Sequence, residues 1–131
     1  MTFVAINLND VEEKAAVEEG EYDVQVSKAT LGESKSGKPM ITCNIRIVGQ
    51  PTAQMVRHFI VLPTPDLDPE QTRYRKLDLK RFCNAFAIPT DGGVNVEDFQ
   101  GAQATVYLAK KTDDDSGNEY NELRLPRIRK E

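Results

Sequence analysis

Residues 32–38, Gly-Glu-Ser-Lys-Ser-Gly-Lys, have the GxxxxGK spacing of a loop that cradles phosphates with backbone N–H groups and a lysine. Such a loop continues with Ser or Thr to hold magnesium and opens a helix, whereas Pro39 follows here and the next residues alternate as in a strand. Nucleotide hydrolysis is therefore not expected. The reading that fits is a flexible basic loop in which Lys35 and Lys38 meet a phosphate backbone by charge alone.

Other candidates for chemistry fall away on similar grounds. The run Asp113-Asp114-Asp115-Ser116-Gly117-Asn118 has the acids of a calcium loop, but no register supplies alternating ligands, the central glycine and the later glutamate. It reads as a polar hairpin tip. His58 is the single histidine, and Cys43 and Cys83 lack CxxC spacing, so the expectation is two buried reduced thiols with no structural metal and no cofactor. His58 has no neighbouring nucleophile, and the acids gather at the N-terminus and the hairpin tip. No enzyme is expected.

What remains is a set of cations and aromatic rings suited to holding a polyanion. The net charge of -4 hides an uneven pattern: residues 1–34 carry two bases and eight acids, while residues 35–81 carry nine bases and four acids. Lys28, Lys35, Lys38, Arg46, Arg57, Lys110, Arg124 and Arg127 are the candidate phosphate contacts. Phe59, Tyr107 and Tyr120 are the candidate platforms for base stacking, each competing with a place in the core. Tyr107 is out of phase with Ala104, Val106 and Leu108, which favours exposure, whereas Phe59 leans towards the core. Every one of these cations reads alternatively as a solvated charge or one half of a cross-strand pair. Arg73, Lys76 and Lys80 form a second basic patch, again with a solvated helix face as the plainer explanation, and Arg129 and Lys130 add charge at the C-terminus.

Period-two alternation defines the elements that must position these residues. Tyr22, Val24 and Val26 mark a first strand, Ile41, Cys43, Ile45 and Ile47 a second, and residues 55–62 a third that Pro63 ends. Asp68-Pro69-Glu70-Gln71 is a helix start with Asp68 as N-cap, and Leu79, Phe82, Cys83 and Phe86 form one apolar stripe before Pro89. A further helical turn at 95–99 closes at Gly101. Ala104, Val106 and Leu108 mark a fourth strand, and residues 120–128 a fifth. Residues 1–20 read as an acidic, weakly docked arm in which Asn9 or Asp10 caps a short helix, and residues 21–131 read as one domain.

Three strands, a helix and two strands are the element order of the OB-fold. The expected fold is accordingly mainly β: an OB-fold-like five-stranded Greek-key barrel with one helix between strands three and four and an N-terminal arm. Two separate small sheets also satisfy the local pattern. With no apolar run long enough to span a bilayer and no signal-peptide pattern, an intracellular protein is expected.

The segments Asn9-Asp10-Val11-Glu12-Glu13, Glu19-Gly20-Glu21-Tyr22, Glu33-Ser34-Lys35-Ser36-Gly37-Lys38-Pro39-Met40, Phe82-Cys83-Asn84-Ala85-Phe86 and Glu97-Asp98-Phe99-Gln100-Gly101 resemble a bacteriophage family. Its members are small OB-fold single-stranded DNA-binding proteins of replication and recombination, together with uncharacterised relatives. The resemblance touches most of the chain, and Ser-Lys-Ser-Gly-Lys-Pro is its most specific part. It implies sequence-nonspecific coating of single-stranded DNA in the cytoplasm of an infected bacterial host, with phage or host replication and recombination proteins as partners and a homo-oligomer as a possible state. One departure is the basic ending Pro126-Arg127-Ile128-Arg129-Lys130-Glu131, where many single-strand binders carry an acidic recruiting tail. The alternative expectation is a protein-interaction or assembly module that uses the same barrel without nucleic acid.

Overall fold

The structure is a computed structural model and describes residues 1–127. Five strands, β1 (Gly20–Glu33), β2 (Pro39–Ile47), β3 (Val56–Val61), β4 (Gln103–Thr112) and β5 (Glu119–Arg124), form one antiparallel sheet in the order β3-β2-β1-β4-β5. The two outer strands, β3 and β5, come into contact, so the sheet curls into a nearly closed, OB-like barrel. Helix α1 (Pro69–Ala85) lies between β3 and β4, followed by a 3-10 turn at Val96–Phe99. No helix among the described residues is long and apolar enough to cross a membrane.

Strand β1 is longer than its alternation suggests. Val24 and Val26 point inward, a β-bulge falls between Val26 and Lys28, and the next buried residue is Ala29. The extra residue, Ser27, reverses the side-chain phase, so Lys28 and Thr30 turn outward. It also bends the strand: residues 20–25 pair with β4, and residues 24–33 pair with β2. One strand thereby serves both halves of the barrel.

The core combines alternate residues of the strands with one face of the helix. Val24, Val26, Ile41, Cys43, Ile45, Val56, Ile60, Val106 and Leu108 enclose the ring of Phe82, which stacks on His58 at 5.3 Å, Phe86 at 4.4 Å and Phe99 at 5.5 Å. Both cysteines are buried and unpaired, and burial pushes Cys43 up to about 12 and Cys83 up to about 11. The helix begins as its sequence dictates, the Gln71 N–H donating to Asp68 Oδ1 at 2.8 Å with Pro69 in the first turn. It ends at Ala85, four residues before Pro89. Ala87 adopts φ 54° and the Ile88 N–H reaches back to the Cys83 carbonyl at 2.9 Å, a Schellman closure with alanine where glycine is usual.

Three expectations are corrected. The arm contains no helix: its thin apolar stripe has nothing to pack on, and residues 1–14 are exposed, with a turn at residues 9–10. The arm is instead held at 15–17, where the Ala15 N–H donates to the Thr52 carbonyl at 3.1 Å and the Val17 N–H to Asn121 Oδ1 at 2.9 Å. Strand β5 stops at Arg124, because Leu125 leads into Pro126, which has no N–H for a ladder; Ile128, Arg129 and Lys130 lie outside the described residues. The loop at 34–38 is a tight hairpin tip rather than a flexible loop, with the Ser34 N–H on the Lys38 carbonyl at 2.7 Å, the Lys38 N–H on Ser34 Oγ at 3.1 Å, and Gly37 at φ 81°.

Because the strands alternate in direction, the barrel has two distinct ends. One holds the 34–38 tip, α1 and the 3-10 turn. The other holds the β2–β3 turn, the β4–β5 hairpin and the root of the arm.

Candidate nucleic-acid interface

Cross-strand register fixes what the outer surface of β1, β2 and β3 displays. In an antiparallel pair, partnered residues share a face, and Ile41, Cys43, Ile45, Val56 and Ile60 are buried. Their neighbours must therefore face out. One row across three strands is Lys28, Asn44 and Arg57; the next is Thr30, Thr42 and Phe59. Arg46 stands beside Gln25 at one end, and the tip bearing Lys35 and Lys38 closes the other.

These cations retain their charge. The Arg46 guanidinium donates from Nε to Gln25 Oε1 at 2.8 Å and from Nη2 to the same oxygen, which orients the group without neutralising it. Among the described residues, none of Lys28, Lys35, Lys38, Arg46 and Arg57 has a carboxylate within the 4.0 Å of an ion pair. Two acids lie near the tip: Asp66, and Glu33 at its base beside Pro39. The Asp66 carboxyl is held below the usual range mainly by the Thr64 hydroxyl and its own backbone, with Lys38 and Arg75 pulling from further away.

Phe59 is 52% exposed on the edge strand of this surface, on the outward side that it shares with Arg57. This corrects the leaning of Phe59 towards the core: it alternates with His58 and Ile60, which turn inward, and so faces out with Arg57. A benzene ring there offers a flat apolar platform between Arg57 and the lysines of the 34–38 tip, the combination that lets bases stack while phosphates pair with charge.

The remaining candidates sit elsewhere. Tyr107, Tyr120 and Arg124 lie on the β4–β5 side, where Tyr107 partners Arg124 and Tyr120 partners Lys111. Acids reach this side. The Tyr107 hydroxyl donates to Glu19 Oε2 at 3.1 Å, which raises its pKa, while Glu19 is held low by the Lys110 N–H first and that hydroxyl second. Lys110 Nζ lies 2.8 Å from Glu18 and 3.1 Å from Glu119, the contacts that raise its own pKa. Glu21 and Asp23 on the first half of β1 add two more outward acids, the latter accepting from the Thr105 hydroxyl. Arg127 is exposed beyond the end of β5. The eleven candidates thus divide into a basic surface without ion-paired carboxylates, carrying Lys28, Lys35, Lys38, Arg46, Arg57 and Phe59, and a mixed-charge surface carrying Tyr107, Tyr120 and Arg124, with Lys110 in the opposite phase beside Asn121 and Arg127 past the strand.

One cation joins the first surface from outside it. Lys14 belongs to the acidic arm and carries no signal in the sequence, yet the Ala15–Ala53 bridge brings it to a cleft of about 330 Å³ lined also by Arg46, Gln50, Pro51 and Met55. The basic line therefore runs from Lys35 and Lys38 at one end of the barrel to Lys14 at the other.

Fold and surface together define an OB-like barrel that presents a basic sheet face without ion-paired acids among the described residues, with one exposed aromatic ring on its edge strand. The chain belongs to the DUF669 family, described as a protein of unknown function, whose sequence profile matches residues 4–130. No curated protein matches the chain in sequence.

Proposed function

We propose that this protein binds single-stranded DNA without sequence preference along the outer face of β1, β2 and β3, and performs no reaction on it. The observation that carries this reading is the convergence of Lys28, Arg46, Arg57 and Phe59 on one outward surface with no carboxylate partner among the described residues. Lys14, Lys35 and Lys38 extend the track at both ends. From Met40 to Arg46 strand β2 covers about 20 Å, which suits a short site near the lower end of the roughly 4–16 nucleotides held per OB-fold. The threonines at 30 and 42 and Asn44 offer neutral donors and acceptors that do not discriminate among bases.

The overall negative charge is compatible with the same reading, because the acids concentrate in the arm, the 113–115 turn, α1 and the 3-10 turn, and the track cations have no ion-paired carboxylate among the described residues. The resemblance to phage single-strand binders points to replication or recombination of phage DNA as the setting. The test is titration of labelled oligo-dT at two salt concentrations against a duplex of equal length. Tighter binding to oligo-dT is expected, with log affinity falling by about 0.7 per phosphate contact for each tenfold rise in salt. The double variant Arg46→Ala/Arg57→Ala is expected to reduce that slope by about 1.4. Preference for duplex, or affinity that ignores salt, refutes the proposal.

A further inference from the structure

Six large apolar side chains in the arm are exposed: Met1, Phe3 at 89%, Val4, Ile6, Leu8 and Val11. Asp10, Glu12 and Glu13 follow at once, so the arm is an acidic, apolar, exposed segment with a turn at residues 9–10, and it meets its own barrel from Lys14 onward. Val4, Ile6 and Leu8 recur at a period of two and share one side wherever the backbone is extended.

The opposite properties meet on the outer side of α1. Arg73, Lys76 and Lys80 point away from the core, with Tyr74 exposed and Leu77 half-covered among them. None of the three cations has a carboxylate within 4.0 Å among the described residues. Two shallow grooves of about 350 and 240 Å³ flank Leu77, one bordered by Lys76 and Lys80 and the other by Tyr74. The dimensions match as well. Arg73 to Lys80 spans about 10 Å along a helix, and Asp10 to Glu13 spans about 10 Å of extended chain.

We infer that the arm of one molecule docks on the outer face of α1 in a second copy of this chain, its acids against Arg73, Lys76 and Lys80 and its apolar side chains against Tyr74 and Leu77. Arm root and helix sit at opposite ends of the barrel, so the contact is head-to-tail. Repeated in one direction such a contact builds a row of subunits, and two molecules laid antiparallel close it reciprocally as a pair. It leaves the basic sheet face open, and it requires no nucleic acid.

Sedimentation of the full chain without DNA, at low ionic strength and over a range of concentrations, tests this separately from DNA binding. Mass is expected to rise with concentration and to fall back as salt is added. The charge reversals Glu12→Lys/Glu13→Lys and Lys76→Glu/Lys80→Glu, all at exposed positions, should each shift self-association to concentrations at least about tenfold higher. Combining the four substitutions in one chain should restore it, because the two charges again oppose. A wild-type chain that stays monomeric at all concentrations overturns the inference. So does association that survives either reversal, or a combined variant that fails to recover.

Discussion

The side chain of Asn121 pairs with the backbone of Val17 as a neighbouring strand would, accepting from its N–H at 2.9 Å and donating to its carbonyl at 2.9 Å. A third bond, from Nδ2 to the Ala109 carbonyl at 3.2 Å, ties the same carboxamide to β4. Asn121 is the one buried polar side chain among the described residues, 7% exposed, and it anchors the arm to β5. Replacing it with alanine leaves a donor and two acceptors without partners. The expected loss for Asn121→Ala is about 2–3 kcal/mol in urea unfolding, with faster amide exchange at Val17. Unchanged exchange at Val17 means that the arm is held by its Ala15 contacts alone.

The exposed rings Phe59 and Tyr107 differ in the charges around them, Tyr107 alone bonding a carboxylate. Phe59→Ala removes a solvent-facing ring from the basic surface, so stability should change little while oligo-dT binding weakens by about 1–3 kcal/mol. Tyr107→Ala, on the surface shared with Glu19, should leave binding unchanged. Fluorescence titration of both variants under one buffer decides between them; equal effects would return the β4–β5 side to the interface.

His58 makes stability depend on pH. Its ring lies against Phe82, and burial lowers its pKa from the ordinary 6.5 despite the opposing pull of Asp78 and Glu122. The folded state then binds fewer protons than the unfolded chain. The contribution is intact above pH 6.5 and declines as pH falls from there towards the lower folded value, at no more than about 1.4 kcal/mol per pH unit. Urea midpoints at pH 7.5 and 5.5 should show the decline, and His58→Phe should flatten it. Glu19 and Asp66, both held low, bring a separate loss in more acidic solution.

Ala87 occupies the left-handed conformation that ends α1, at a cost glycine does not incur. Its side chain is exposed, so no packing is lost on removing the methyl group. Ala87→Gly should stabilise the protein by roughly 0.5–1 kcal/mol after the added freedom of the unfolded chain is counted, a rise of a few degrees in Tm. A fall in Tm would show that the closure through Ile88 carries no strain.

Much of the architecture is legible in local pattern. Alternation in β2, the Asp68-Pro69 start and the stripe of Leu79, Phe82, Cys83 and Phe86 each bury one face, and burying all of them in one core leads to three strands, a helix and two strands. The concentration of cations in the middle of the chain is equally plain from residue order. What alternation does not report is a change of phase or a distant neighbour. The bulge at Ser27 turned Lys28 outward beside Asn44 and Arg57, and only the pairing of β1 with both β2 and β4 revealed it. Glu18 and Glu19 met Lys110 and Tyr107 across some 90 residues of chain, while Lys14 came to Arg46 through a single bridge at Ala15. Periodicity along one strand determines which side of it is apolar. Whether an outward charge stands free or meets an opposite one depends on long-range register, and here that register alone separated the open basic face from the compensated one.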